Sequence, residues 1–219
     1  MKLWLDTANV DELRAASRFG VVSGVTTNPS LWAKAASGTD YREVVVEVCS
    51  IIDGPVSAEC LAQDVEGLAK EARSIAAWHP NIVVKIPLDE NGLEAIRRVS
   101  REGIKVNTTL IFQANQAMLA AEAGTTYVSP FVGRLDDIGQ DGIAVVRDIV
   151  EIFDRYHLPT QVVAASLRHP LHVIQAAKAG AHIATMPYAV FQAMFKHPLT
   201  DVGMQKFLED ARKAAKVRP

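Results

Sequence analysis

The chain of 219 residues has little cysteine, no large excess of charge of either sign and no long apolar run. Its two cysteines, Cys49 and Cys60, are too few for a disulfide scaffold and lie among apolar residues, which predicts reduced thiols in a core. A net charge of −2 predicts no surface for a nucleic acid or an anionic membrane. No apolar run would span a bilayer, and Asp6 comes too early for a signal peptide. We therefore expect a soluble cytoplasmic protein.

Clusters of metal ligands and nucleotide-binding glycines are also missing. His169 and His172 lie three residues apart and could share a helix face, but the sequence offers no third ligand beside them. No glycine-rich fingerprint follows the first predicted strand, so a dinucleotide site is not supported. We therefore expect neither a metal nor a nucleotide cofactor.

Short apolar runs alternate with amphipathic stretches along the whole chain, in eight strand-then-helix units about 25 residues apart. Continuous apolar runs are typical of parallel strands that are covered on both faces. The pattern predicts an α/β fold, a (β/α)8 TIM barrel formed as one domain over residues 1–219. A doubly wound open sheet fits the same alternation and is the alternative. The predicted strands cover residues 2–6, 21–26, 56–60, 82–87, 104–109, 126–130, 160–165 and 182–185.

Two of the predicted helices need separate mention. After the second strand we predict one helix that follows Ser30 and runs on through Tyr41 to Ile52. A last amphipathic helix, over residues 200–216, has no strand partner. We expect this additional C-terminal helix to cover one end of the barrel or to pack on a neighbouring subunit.

Lys85 lies inside the apolar strand at residues 82–87. Burying an ammonium group without a partner is costly, and burial favours the neutral amine. A neutral amine can attack a carbonyl carbon and form a Schiff base. When this strand is considered alone, a more ordinary explanation for its lysine is that the side chain pairs with a carboxylate or reaches solvent at the strand end.

Polar residues also end nearly every other predicted strand. In a (β/α)8 barrel the C-terminal strand ends form the catalytic mouth. So many polar ends around a lysine within an apolar strand favour a catalytic Lys85. These residues are Asp6, Asn28, Glu59, Asn107, Thr109, Ser129, Arg134, Ser166 and Arg168.

The acidic residues suit proton transfer beside an amine. Asp6 and Glu59 could orient Lys85 and move the protons that imine chemistry requires. A helix N-cap is the alternative for Asp6, and a structural ion pair with Lys85 is the alternative for Glu59. Thr109 could hold a water molecule together with Glu59.

The remaining polar ends suit a phosphorylated sugar. Asn28 and Asn107 could bond sugar hydroxyls, although asparagines at strand ends often serve only turns. Arg134 and Arg168, with Ser166 and the start of the following helix, could form a phosphate cradle. Two ordinary surface arginines are the alternative.

Six sequence blocks, in order over essentially the whole chain, resemble the short transaldolase family, which also contains the fructose-6-phosphate aldolases. Together the blocks are highly specific, although Thr-Asn-Pro-Ser alone would not be. They are the blocks at residues 6–9, 24–30, 84–87, 106–110, 129–134 and 165–168.

The resemblance implies a (β/α)8 barrel that acts on phosphorylated ketoses and aldoses without a metal or an organic cofactor. It makes Lys85 the Schiff-base lysine and Asp6 the acid/base at the sugar hydroxyl, and has Glu59 and Thr109 position the water. It also implies a homo-oligomer, often a ring of five stacked into ten, with the last helix on a neighbour. Substrate would be held by Asn28, Asn107 and Ser129 at the dihydroxyacetone part and by Arg134, Ser166 and Arg168 at the phosphate.

Two positions separate the branches of that family. The aldolases carry glutamine where this chain has Glu59 and tyrosine where it has Phe131. A tyrosine hydroxyl could help to protonate the bound enamine and release free dihydroxyacetone, whereas phenylalanine cannot. The residues present predict a transaldolase of the pentose phosphate pathway. The alternatives are an aldolase that releases dihydroxyacetone and a non-catalytic barrel that binds sugar phosphates.

Overall fold

Eight parallel strands close into a barrel in the computed structural model, which describes residues 1–35, 38 and 40–216. Each strand pairs with the next along the chain, and the eighth pairs with the first. The closed barrel confirms the predicted fold, and the open sheet is wrong. The strands are β1 (Lys2–Asp6), β2 (Val22–Thr26), β3 (Val56–Glu59), β4 (Ile82–Pro87), β5 (Val106–Ile111), β6 (Tyr127–Pro130), β7 (Gln161–Ala164) and β8 (Ile183–Met186).

Helices connect the strands and surround them. Several helices begin where a polar side chain accepts a backbone N–H, as Asn9 does from Asp11 and Asp64 does from Gly67. The helices of the described residues are α1 (Val10–Ser17), α2 (Pro29–Ala35), α3 (Tyr41–Ile51), α4 (Val65–Ala76), α5 (Glu90–Arg101), α6 (Ala114–Ala123), α7 (Val132–Asp136), α8 (Gly142–Arg155), α9 (Pro170–Lys178), α10 (Tyr188–Ala193) and α11 (Pro198–Lys216).

The single helix predicted to run from after Ser30 to Ile52 is wrong, because α2 and α3 are separate helices. Asp40 has extended backbone and its carboxylate accepts the N–H of Arg42, so a new helix begins at Tyr41. The part of that prediction at residues 36, 37 and 39 lies outside the described residues.

Elsewhere the strand bounds differ from the predicted ones by at most two residues. The largest difference is in β5, which begins and ends two residues later than predicted. Leu110 in this strand has a φ of +58°, and the pairing with β6 shifts between Thr108 and Ile111. An irregular residue of this kind leaves no trace in an apolar pattern.

Alternation along the strands places Lys85 inside the barrel. Val83 belongs to an apolar cluster with Trp4, Tyr127 and Val163, all fully or nearly fully buried. Because side chains alternate between the two faces of a strand, Lys85 points to the same side as Val83, one layer nearer the C-terminal strand ends. An apolar cluster therefore lies below the lysine.

The C-terminal helix α11 carries large apolar side chains that are exposed in the single chain. They include Phe207, with 74% of its surface exposed. None of the helices in the described parts of the chain has the length and apolar character needed to cross a membrane. The exposed apolar residues of α11 are Leu199, Val202, Met204, Phe207 and Leu208.

Candidate active site

Lys85 is a buried amine with two oxygen partners. Its side chain is 5% exposed, and its Nζ atom lies 3.0 Å from Oε2 of Glu59. Nζ also donates to the backbone carbonyl oxygen of Thr27 at 3.3 Å. Glu59 reaches the amine because β3 and β4 pair with Glu59 directly opposite Lys85. The ion pair is therefore present, and it holds the amine in one place while leaving a carboxylate beside it.

Asp6 lies at the end of β1, and its Oδ1 atom accepts a 2.7 Å hydrogen bond from Thr26. Burial raises the pKa of the Asp6 carboxyl, while the charge of Lys85, the Thr26 hydrogen bond and the charge of Arg134 act in the opposite direction. The N-cap alternative for Asp6 is wrong, because Asn9 caps α1. A carboxyl whose pKa burial raises, beside an amine, suits a role in proton transfer.

Asn107 and Ser129 belong to a buried hydrogen-bonded row across β3, β5 and β6. The Asn107 amide donates to the Ser57 hydroxyl at 3.1 Å, and the Ser129 hydroxyl donates to the Asn107 carbonyl oxygen at 2.7 Å. This arrangement fixes the direction of the amide and leaves its second N–H available. The row can therefore present a donor to a polar ligand.

Thr109 is buried, and its hydroxyl has no hydrogen-bond partner within the part of the chain that the structure describes. An unsatisfied buried hydroxyl costs about 1–3 kcal/mol, so such groups usually meet a water molecule or a ligand. The role predicted for Thr109, holding a water molecule together with Glu59, stays a prediction.

Asn28 serves a turn two residues after the end of β2. Its side-chain oxygen accepts the N–H of Leu31 at 3.0 Å, at the start of α2. The turn alternative is thus confirmed for the oxygen, while the two amide hydrogens remain available to a ligand.

Gly133 allows α7, which carries Arg134, to approach the loop that carries the other two predicted phosphate-binding residues. Its N–H donates to the Ser166 carbonyl at 3.0 Å, and a Cβ atom at this position would lie 2.2 Å from that oxygen and 2.5 Å from Nε of Arg168. Only glycine permits this approach, which places α7 with Arg134 against the loop of Ser166 and Arg168.

The two arginines have different surroundings. Arg134 is exposed, with its guanidinium 4.9 Å from the centre of the Phe131 ring. Arg168 forms a 2.8 Å ion pair with Asp137, and both side chains are more than half exposed. Sequence reasoning missed Asp137, since an acidic residue at the end of a short helix carries no local sign of its partner.

The pair His169 and His172 helps to hold the loop of Arg168. His169 caps α9, and Nδ1 of His172 accepts the Arg168 N–H at 3.1 Å while its Nε2 lies 2.8 Å from Asp136. Burial lowers the pKa of His172, which keeps the accepting nitrogen neutral. Among the described residues no group of three or more histidine, cysteine and acidic side chains has the arrangement of a metal site.

The chain is similar to known proteins along almost its whole length. The family model described as Transaldolase/Fructose-6-phosphate aldolase matches residues 3–218. A protein of Thermoanaerobacter sp. (strain X514) named probable transaldolase is 61% identical over 214 residues, 98% of each chain. A second probable transaldolase, from Desulforamulus reducens, is 63% identical over 210 residues, 96% of each chain.

A solved structure also resembles the fold. A chain of a cube-shaped, highly porous protein cage, designed by fusing symmetric oligomeric domains, matches with a TM-score of 0.55 and 16% identity. The match covers 98% of this chain and 77% of that one. At this identity the likeness shows the fold alone.

Proposed function

The chain belongs to the transaldolase and fructose-6-phosphate aldolase family, and we propose that it is a transaldolase that works through a Schiff base on Lys85. The observation that carries the proposal is the buried amine of Lys85, held between the Glu59 carboxylate and the Thr27 carbonyl. High identity to proteins named probable transaldolase supports the same reaction. The reaction transfers a dihydroxyacetone unit from a ketose phosphate to an aldose phosphate.

In the first half-reaction the amine attacks the ketone carbon of a donor such as sedoheptulose 7-phosphate or fructose 6-phosphate. Glu59 takes a proton from nitrogen and returns one to the departing hydroxyl, which leaves as water beside Thr109. Asp6 then removes the proton of the neighbouring sugar hydroxyl. The carbon–carbon bond breaks, its electrons pass into the imine to give an enamine, and the aldose phosphate leaves.

In the second half-reaction an acceptor such as erythrose 4-phosphate or glyceraldehyde 3-phosphate enters. The enamine carbon adds to the aldehyde carbon, and Asp6 returns its proton to the new hydroxyl. Water then hydrolyses the imine and frees both the new ketose phosphate and Lys85. Because the first product leaves before the acceptor enters, we expect ping-pong kinetics.

The polar residues of the mouth divide between the two ends of the sugar in this proposal. Amide donors of Asn28 and Asn107, with Ser129, bind the dihydroxyacetone hydroxyls. Arg134, Ser166 and Arg168 bind the phosphate. Arg168 can leave Asp137 for this purpose, because an exposed ion pair contributes at most about 1 kcal/mol, less than a bidentate contact with phosphate.

This reaction has a place in the non-oxidative pentose phosphate pathway, and we propose that the enzyme acts there, in the cytoplasm. Its proposed partners are the phosphorylated ketoses and aldoses of that pathway, with no nucleic acid and no membrane.

The test of the proposal is turnover of fructose 6-phosphate with and without erythrose 4-phosphate, following both the aldose product and free dihydroxyacetone. Strong dependence on the acceptor, with little free dihydroxyacetone, is the result that transfer requires. Steady release without acceptor would make the protein an aldolase. No turnover, together with thermal stabilisation by sugar phosphate that survives Lys85→Ala, would make it a binding barrel.

Phe131→Tyr should raise the release of free dihydroxyacetone by about 10-fold relative to transfer, because a hydroxyl there can help to protonate the enamine. The ratio of the two products in the coupled assay measures the change. Phe112→Tyr is the matched control, since the two rings pack edge to face with centres 5.8 Å apart. An unchanged ratio in Phe131→Tyr would remove this account of the position and leave the lysine chemistry intact.

We also propose that residues 1–219 form one domain and that the C-terminal helix, α11, packs on a neighbouring subunit of a ring of five or a stack of ten. Phe207→Ser should then reduce the mass of the assembly, because the substitution removes a large apolar side chain that is 74% exposed in the single chain. Light scattering after size exclusion measures that mass. Lys206→Ser, on the same helix, is the control, and an unchanged mass in Phe207→Ser would contradict the proposal.

A further inference from the structure

Tyr41, the first residue of α3, lies against both groups that hold Lys85. Its hydroxyl is 3.0 Å from the backbone nitrogen of Glu59 and 3.0 Å from Oγ1 of Thr27. Glu59 and Thr27 provide the two oxygen atoms around the amine, a carboxylate at 3.0 Å and a carbonyl at 3.3 Å. One hydroxyl therefore joins the two supports of the lysine.

The hydrogen bonds around this hydroxyl have one consistent direction. The N–H of Glu59 donates to the Tyr41 oxygen, and the Thr27 hydroxyl donates to the Ser57 carbonyl at 2.8 Å. A hydroxyl has a single hydrogen, so the Tyr41 hydroxyl must donate to Thr27. The result is a continuous series of hydrogen bonds. It runs from the end of β3, through the first residue of α3, to the residue after β2 and back to β3. Linked hydrogen bonds of this kind strengthen one another.

The Tyr41 ring is itself held in place. It packs on Trp32 and Trp78, with ring centres 5.5 Å and 5.9 Å away, and the preceding residue, Asp40, caps the helix. Burial raises the pKa of Tyr41, which keeps the hydroxyl protonated and able to donate above neutral pH. The hydroxyl is therefore anchored from the outside of the barrel.

We propose that Tyr41 is a positioning residue for Lys85, which acts through Glu59 and Thr27; the inference rests on the proposed function. Without the hydroxyl the two supports lose one of the contacts that fix them relative to each other, and a displacement of about 1 Å at a reacting group can cost about 100-fold in rate. We expect Tyr41→Phe to lower kcat by roughly 10- to 100-fold. KM should change little, because the residues that Tyr41 contacts lie outside the proposed phosphate site.

The experiment measures kcat, KM and the rate at which borohydride traps the donor sugar on Lys85, in Tyr41→Phe and in Tyr127→Phe. Tyr127 is a buried residue and also packs on a tryptophan, Trp4, so its variant controls for the loss of a tyrosine hydroxyl as such. A lower trapping rate with unchanged KM in Tyr41→Phe, against normal values in Tyr127→Phe, supports positioning. If Tyr41 had a merely structural role, Tyr41→Phe would lower the thermal midpoint without lowering the trapping rate at unchanged KM.

Thr27→Val supplies a second test, because it removes the hydroxyl that Tyr41 binds and keeps the carbonyl that Lys85 binds. If the linked hydrogen bonds through Tyr41 and Thr27 act as a unit, the double variant Tyr41→Phe/Thr27→Val loses no more activity than the worse of the two single variants. Fully additive losses would overturn the proposal, as would normal kinetics in Tyr41→Phe. A parent protein that neither turns over nor traps sugar would overturn the proposed function itself, and this inference with it.

Discussion

Lys85→Met will reduce sugar turnover by on the order of 10⁴-fold or more, the scale of removing a covalent nucleophile. Methionine keeps the length of the side chain without the amine, so no imine can form. With borohydride and donor sugar, the parent protein should gain a three-carbon adduct at Lys85 and the variant should gain none. Peptide mass mapping locates the adduct.

The same substitution also affects stability, because it leaves a carboxylate without its partner. Glu59 is only 15% exposed, and breaking a buried ion pair from one side costs about 3–5 kcal/mol. Lys85→Met should therefore unfold more easily, whereas Lys85→Met/Glu59→Gln should recover stability and stay inactive. This double variant separates the structural ion pair from the chemistry.

Lys70→Met, on the exposed face of α4, is the control for the loss of a lysine. It should keep both the adduct and the turnover. An adduct on another lysine of the parent protein would contradict the mechanism, and so would turnover by the stable double variant.

The barrel could be predicted from the sequence because its strands differ locally from its helices. Buried parallel strands are continuous apolar runs, and eight such runs leave few other topologies. The separation of α2 from α3 could not be predicted from that pattern. The start of α3 depends on a local capping contact, from Arg42 N–H to Asp40, and the apolar periodicity on both sides does not show it.

The position of the site inside the barrel, at the C-terminal strand ends, was predictable for a related reason. A lysine at the fourth position of an apolar strand must point inward when the second position does, so Lys85 and its neighbours at other strand ends share one mouth. The contacts of those residues were not predictable. The carbonyl of Thr27 belongs to the backbone and has no signal in residue type, and Tyr41 meets Glu59 across 18 positions of sequence.

The buried carboxylate of Asp6 lowers the stability of the folded protein, and the proposed reaction uses the same group as an acid and base. Asp6→Asn should lower kcat by about 10²–10⁴-fold, the usual contribution of a general acid or base. The asparagine oxygen can still accept the Thr26 hydroxyl, so the local hydrogen bond is kept. The same variant should be more stable than the parent protein at neutral pH.

The sign of that stability change follows from the raised pKa of Asp6, which burial dominates. Below the ordinary value of 3.8 the carboxyl is protonated in both the folded and unfolded states. As pH rises past that value the unfolded chain releases its proton first, so the folded state loses stability until its own, higher pKa is passed. Asparagine does not titrate, and the difference in thermal midpoint between Asp6→Asn and the parent should therefore grow with pH across this window.

Thermal melts from pH 3 to pH 8 measure the difference, with Asp53→Asn, an exposed aspartate in the turn before β3, as control. A variant less stable than the parent at neutral pH would mean that the attraction to Lys85 outweighs burial. A gain that grows with pH, together with lost turnover, would mean that the fold tolerates an unfavourable carboxylate at Asp6. Proton transfer beside the amine is the function that such a group serves, since burial that raises the pKa of a carboxyl also makes it a better base.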